Sequence, residues 1–168
     1  SQKIPTLREA LELARQGNIQ VYIEIKSGQR AGKYCRYTGI AEAVTREVLA
    51  TAMLENVMIM SFDWEILPRV KNLAPAVQTG ALVSKNVWNP HETEALSSLV
   101  TQVRALQCEW IHMAYDLFIP EMPAYFHANG LRLGVWTVND AASLQRLAQT
   151  GIDALTTDRP DLFAASSG

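Results

Sequence analysis

The stretch VYIEIK, Val21–Lys26, alternates between an aliphatic face (Val21, Ile23, Ile25) and a face carrying Tyr22, Glu24 and Lys26. A period of two marks a β-strand, and what this strand means depends on the sheet it joins. Five further apolar runs follow it: VMIMSF (57–62), GALV (80–83), EWIHMAY (109–115), RLGVWTV (132–138) and DALTTD (153–158). They start too far apart for hairpins, and helical patterns fill the gaps. The sequence therefore predicts β/α units and a parallel sheet.

The helices announce themselves by their ends. In PTLREAL, Thr6 and Glu9 form a capping-box pattern. In NPHETEAL, Asn89 is read as the cap, Pro90 as the first helical residue and Glu92 as the reciprocal partner. Leu96, Leu99, Val100, Val103 and Leu106 then share one helical stripe. Ala141 to Gln149 forms another amphipathic pattern, closed by Gly151, a residue suited to left-handed geometry.

Alternating β and α segments with right-handed crossovers allow an open doubly wound sheet or a closed barrel. No G-x-G-x-x-G turn is present, and polar residues recur at strand ends: Glu24 and Lys26, Ser61, His112, Trp136 and Thr137, Thr157 and Asp158. Active sites of (β/α) barrels are built at those C-terminal ends, so the barrel is the better reading. A closed barrel of this class has eight strands; six runs are legible here.

Composition narrows the classes of function. The 168 residues are 48% hydrophobic, enough for a core in one domain, and 19% charged with a net charge of -2. That balance argues against nucleic-acid or anionic-membrane binding. The two cysteines, Cys35 and Cys108, have no partner spacing, which points to a reducing, cytoplasmic setting. No run approaches the roughly 18 apolar residues needed to span a bilayer, and no signal peptide is visible. The first residue is Ser1 rather than Met, as in a processed chain or one cut from something longer.

In a parallel sheet between helices and a barrel interior, Glu24 and Lys26 would point inward, where an unpaired charge is costly. Two readings stay open: a mutual salt bridge at the barrel mouth, or Glu24 holding a divalent cation while Lys26 meets an anion. Trp136 either fills core or walls a substrate pocket, and Ser61 and Phe62 are candidates for ligand contact. Asn139 and Asp140 are read as helix caps, as are Asp63 and Asp158. His91 and His127 read as surface residues. His112 is a satisfied core histidine before it is a catalytic one. Residues 27–39 are long for a βα connection; Arg30, Lys33 and Arg36 there either attract a phosphate or belong to a solvated mobile loop.

IPTLREAL, YIEIK, MSFD, GLRLGVWTVND and GIDALTTDRPDL, in that order, resemble glycerophosphodiester phosphodiesterases from Ile4 to about Leu162. The resemblance implies a single (β/α)8 TIM-barrel domain, of which residues 1–168 supply about six β/α units, strands three to eight. It implies hydrolysis of glycerophosphodiesters to glycerol 3-phosphate and an alcohol with Mg²⁺ or Ca²⁺. Glu24 matches the family's metal-binding glutamate and Lys26 the lysine near the substrate phosphate. Trp136 matches the aromatic residue on the glycerol side, and His112 a pocket-lining histidine of the bacterial cytoplasmic branch. Phe62 joins them as a substrate contact.

The family's His-Arg, Glu-x-Asp and His-Asp pairs belong to strands one and two and have no counterpart in this chain. No catalytic residue is therefore assigned, and the chain alone is expected to be inactive. A lone carboxylate suits a hard cation poorly, so weak or no metal binding is expected. The small-molecule diester is the expected partner, and open edges at strands 21–26 and 153–158 invite self-association or pairing with missing sequence. Two rival readings stand beside this one. The first is a degenerate, non-catalytic module that binds a phosphodiester or a partner. The second is another phosphate-handling barrel with its anion site near TTDRP (156–160).

Overall fold

In the computed structural model, Thr6 opens helix α1 (Leu7–Gln16) with the expected capping box: its hydroxyl accepts from the Glu9 amide, and Glu9 accepts from the Thr6 amide. The structure describes residues 3–30, 33–89 and 94–164. It falls into two units, Ser1–Ala81 and Leu82–Gly168, taken in turn.

In the first unit, β1 (Val21–Glu24) runs parallel to β4 (Val57–Ser61), with Val21 opposite Val57 and Glu24 opposite Met60. Strand β4 runs parallel to β5 (Gln78–Val83), which extends from the end of this unit into the next. Every residue of β4 is buried, as the unbroken VMIMS run requires of a strand without a wet face. Helices α1, α2 (Ile40–Ala50) and α3 (Leu67–Leu73) supply Leu11, Val44, Val48 and Val70 to a core that also holds Ile25, Val57 and Ile59. Val21 and Ile23 pack against it, so the aliphatic side of VYIEIK faces inward to this core.

The opposite side of β1 departs from expectation. Tyr22 and Glu24 are exposed and Lys26 is 79% exposed at its side chain, so the charges reach solvent instead of a closed interior. Water removes the desolvation cost that the inward placement would have carried. The long connection after β1 also differs: it folds into an antiparallel hairpin, β2 (Gly28–Arg30) and β3 (Lys33–Cys35), with Gly28 opposite Cys35.

In the second unit, β6 (Trp110–Ala114), β7 (Arg132–Trp136) and β8 (Ala154–Leu155) are parallel neighbours. Trp110 lies opposite Arg132 and Ala114 opposite Trp136. Leu99, Val100 and Val103 of α4 (Ala95–Ala105) are buried as the helical stripe predicted, as are Met122 and Phe126 of α5 (Met122–Ala128). Helix α4 starts later than expected: Glu94, at φ 59°, holds the position before Ala95, so Asn89 is not its cap. Pro90, His91 and Glu92 lie outside the described residues. Asp140 caps α6 (Ala141–Ala148) by accepting from the Ser143 amide at 2.8 Å, and Gly151 takes the left-handed φ of 82° after it. The short α7 (Asp161–Ala164) closes the described chain.

Among the described residues β1 pairs only with β4, and β8 only with β7. No described helix is long and apolar enough to cross a membrane.

Candidate functional site

The C-terminal ends of β1 and β4 bring together an exposed ion pair and a buried polar network. Lys26 Nζ lies 3.3 Å from Glu24 Oε2, the spacing of a salt bridge between residues two apart on one strand face. The pair leaves both groups reachable from solvent. Half-buried Phe62 follows directly on β4.

Beside them sits a network the sequence did not disclose. Asp63 is 1% exposed. Its carboxylate accepts from Arg36 Nε at 2.5 Å, from Arg36 Nη2 at 2.6 Å and from Ser27 Oγ at 2.9 Å. Arg36 also meets Glu65 at 2.7 Å. Hydrogen bonding to Asp63 chiefly, with help from Glu65, raises the Arg36 pKa above its ordinary value. Ser61, fully buried, donates to the Ile25 carbonyl at 2.8 Å and accepts from the Asp63 amide at 3.0 Å.

Two expectations are corrected here. Asp63 precedes the short turn Trp64–Ile66 but makes no side-chain capping bond, because a buried carboxylate gains more from a guanidinium than from an amide. Arg36 points its donors at carboxylates and not at an open phosphate site. The side chains of Arg30 and Lys33 lie outside the described residues. Ser27, Arg36 and Asp63 are far apart in sequence, so no spacing rule could have joined them. The one available hint was an acidic residue placed two positions after a fully buried strand.

In the second unit, His112 is 1% exposed. It stacks on Trp110 with ring centroids 5.4 Å apart and planes 24° from parallel, and Arg132 lies over the same indole at 5.4 Å. Gly134 stands opposite His112 in the β6–β7 register, and a methyl group there would come within 2.4 Å of His112 Nδ1. The glycine is the space in which the imidazole lies. Burial lowers the His112 pKa to about 4, so the ring is neutral at pH 7. The structure thus makes it a packed core histidine. Half-buried Trp136 donates its indole N–H to the His112 carbonyl at 2.9 Å, which fixes the ring at the C-terminal end of β7.

Asn139, expected as a cap, bridges instead to the chain after β8. Its Oδ1 accepts from the Asp158 amide at 2.9 Å and from Thr157 Oγ1 at 3.1 Å, and its Nδ2 donates to Asp158 Oδ2 at 2.9 Å. Asp158 is therefore a bridge partner of Asn139. The Arg159 amide is taken by Thr157 Oγ1. The Asp158 and Arg159 amides at TTDRP are thus both engaged within the chain. His127 is a surface residue as expected, with Nε2 2.8 Å from Asp153 Oδ2. The same carboxylate oxygen accepts from the Leu133 amide near the start of β7, away from the Trp136 end.

Among the described residues, no three His, Cys, Asp or Glu side chains are grouped to hold a metal ion. Mg²⁺ and Ca²⁺ take six or more oxygen ligands, so Glu24 with its lysine partner does not amount to a site.

Fold and site together define an α/β chain of (β/α)-barrel type, with six β/α units among the described residues and an ion-paired lysine and carboxylate at one strand end. Its sequence matches the Glycerophosphoryl diester phosphodiesterase family over residues 1–162, and the chain belongs to that family. A glycerophosphodiester phosphodiesterase of Caldanaerobacter subterraneus is 30% identical over 160 residues, 95% of this chain and 60% of that protein. One from Bacillus subtilis is 28% identical, matching 96% of this chain and 53% of its own length. The chain thus spans only part of the curated relatives it matches. Among solved structures, a protein of Silicibacter pomeroyi described as a glycerophosphoryl diester phosphodiesterase aligns with a TM-score of 0.78 at 28% identity, over 94% of this chain and 54% of that one. An Oleispira antarctica phosphodiesterase, solved with the product sn-glycerol-3-phosphate, shares the fold at a TM-score of 0.73 and 22% identity, over 98% of this chain and 62% of that one.

Proposed function

We propose that the polypeptide carrying these residues hydrolyses glycerophosphodiesters to glycerol 3-phosphate and an alcohol. The family match along nearly the whole chain carries this reading, and the β1 terminus is consistent with it. Lys26 offers a compact cation at a strand end and meets a phosphodiester anion as a point charge, without the fixed geometry an arginine would impose. An incoming phosphate takes over the ammonium that Glu24 holds at 3.3 Å, which frees that carboxylate. In the whole protein Glu24 would be one oxygen ligand among the several that a Mg²⁺ or Ca²⁺ ion needs, and such an ion would supply charge to neutralise the phosphoryl oxygens. Phe62 and Trp136, the latter anchored on the His112 carbonyl, are the aromatic side chains that we assign to substrate contact, each at the C-terminal end of its own strand. His112 stays neutral and serves as packing. The acid and base that move protons are not assigned to any described residue.

The test is Glu24→Ala in the whole protein, with release of glycerol 3-phosphate from glycerophosphocholine as the readout. Activity should fall on the order of 100-fold or more, as when a group that stabilises transition-state charge is removed. Turnover near that of the unsubstituted protein would rule out the ligand role. The 168-residue chain by itself should release little or no glycerol 3-phosphate, with or without added Mg²⁺.

A further inference from the structure

We propose that Asp63 is a positioning residue for Lys26, acting through the backbone on either side of it. This rests on the reading of Lys26 as the phosphate contact. Ile25, before the lysine, is tied to β4 twice: its amide donates to the Met60 carbonyl at 2.9 Å and its carbonyl accepts from Ser61 Oγ. Ser27, after it, gives its hydroxyl to Asp63. Ser61 also accepts from the Asp63 amide, so one short segment, Ser61 to Asp63, grips both neighbours of Lys26. Lys26 itself is left to solvent at its tip. A flexible side chain thus stands on a fixed stem.

Arg36 completes the device. It follows β3, as Ser27 precedes β2, and both bond the same Asp63 carboxylate. The two ends of the hairpin are therefore closed on one buried group. Loss of that group frees the backbone from Lys26 onward in a single step, since both anchors share it. The pattern differs from ordinary core stabilisation because the carboxylate's partners Ser27 and Arg36 stand at the two ends of the hairpin. What it controls is where the chain leaves β1.

The experiment uses the whole protein and the single-atom change Ser27→Ala, which removes only the bond from Ser27 to Asp63. We expect kcat/KM for glycerophosphocholine to fall about fivefold, mostly through KM, with the melting temperature within a degree or two of the unsubstituted protein. Ser27→Thr should restore it. In a Lys26→Ala background the same change should have no further effect, which a general loss of stability would not reproduce. A Ser27→Ala effect of equal size in both backgrounds, or none in either, overturns the proposal.

A second readout does not need activity. In Asp63→Asn, amide hydrogen exchange at Ser27 and Gly28 should speed about tenfold while Ile59 and Met60 keep their rates. Unchanged exchange at Ser27 and Gly28 sinks the positioning role. If the unsubstituted protein releases no glycerol 3-phosphate at all, the phosphodiesterase reading fails, and the exchange rates alone decide whether Asp63 holds this backbone.

Discussion

Asp63 and His112 are each 1% exposed, and each belongs to a strand or its immediate end, yet the two regions treat a buried ionisable group in opposite ways. At the end of β4, the Asp63 carboxylate is met by a forked guanidinium and a hydroxyl. On β6, His112 lies between a tryptophan and a glycine, and burial lowers its pKa to about 4. A carboxylate next to a long connection gains from a partner that also anchors that connection. An imidazole in the middle of a strand has no such loop to hold and packs as a flat, neutral ring. The first region should fail when its partner is removed, and the second when a proton is added.

Arg36→Ala should show the largest effect. Removing one member of a buried pair leaves the other charge uncompensated, at a cost of about 3 to 5 kcal/mol. Arg36 is 26% exposed at its side chain and Ser27 remains, so the lower end, about 3 to 4 kcal/mol, is expected in urea denaturation. A loss below about 1 kcal/mol would mean the pair behaves as a surface ion pair. The Glu24–Lys26 pair is the internal control. With Lys26 79% exposed, Lys26→Ala should cost less than about 1 kcal/mol in the same assay.

Acid should expose the other region. The unfolded chain takes up a proton at His112 near the ordinary pKa of 6.5, whereas the folded chain resists until about 4. Between those values the unfolded state binds more protons, so stability is full above about pH 6.5 and is lost as pH falls toward 4. The loss from this residue alone amounts to about 3 kcal/mol. Denaturation curves at pH 7 and pH 4 for the unsubstituted chain and for His112→Gln measure it as the difference between the two pH dependences. Equal dependences would show that His112 is not held neutral in the folded state.

What could be read from sequence follows the range of the interactions. All six apolar runs form strands, because a buried parallel strand declares itself within five or six residues, as VMIMS does. Thr6, Asp140 and Gly151 act as expected, because a helix end is decided within one turn. Asp63 looked like another cap by the same local rule, and a partner 27 residues away in Arg36 overrode it. The face of Tyr22, Glu24 and Lys26 was expected inside a barrel, but burial depends on what covers a strand, and its own six residues do not record that. The family resemblance reached Glu24, Lys26, Trp136 and His112 as candidates. It did not reach Gly134, whose importance appears only when the register sets it opposite an imidazole.

Gly134→Ala provides the finest probe of the neutral region. The added methyl would meet His112 Nδ1 at 2.4 Å and Cε1 at 2.5 Å, so the ring must move. His112 cannot simply tilt away, since one face is held by Trp110, itself covered by Arg132. Overpacking of this kind costs about 2 kcal/mol. If the clash is with the imidazole, His112→Ala should absorb it: in that background the glycine substitution should cost no more than about 0.5 kcal/mol, a coupling a double-mutant cycle resolves. An undiminished cost would place the strain in the β7 backbone instead, and the pocket for His112 would no longer explain why position 134 carries a glycine.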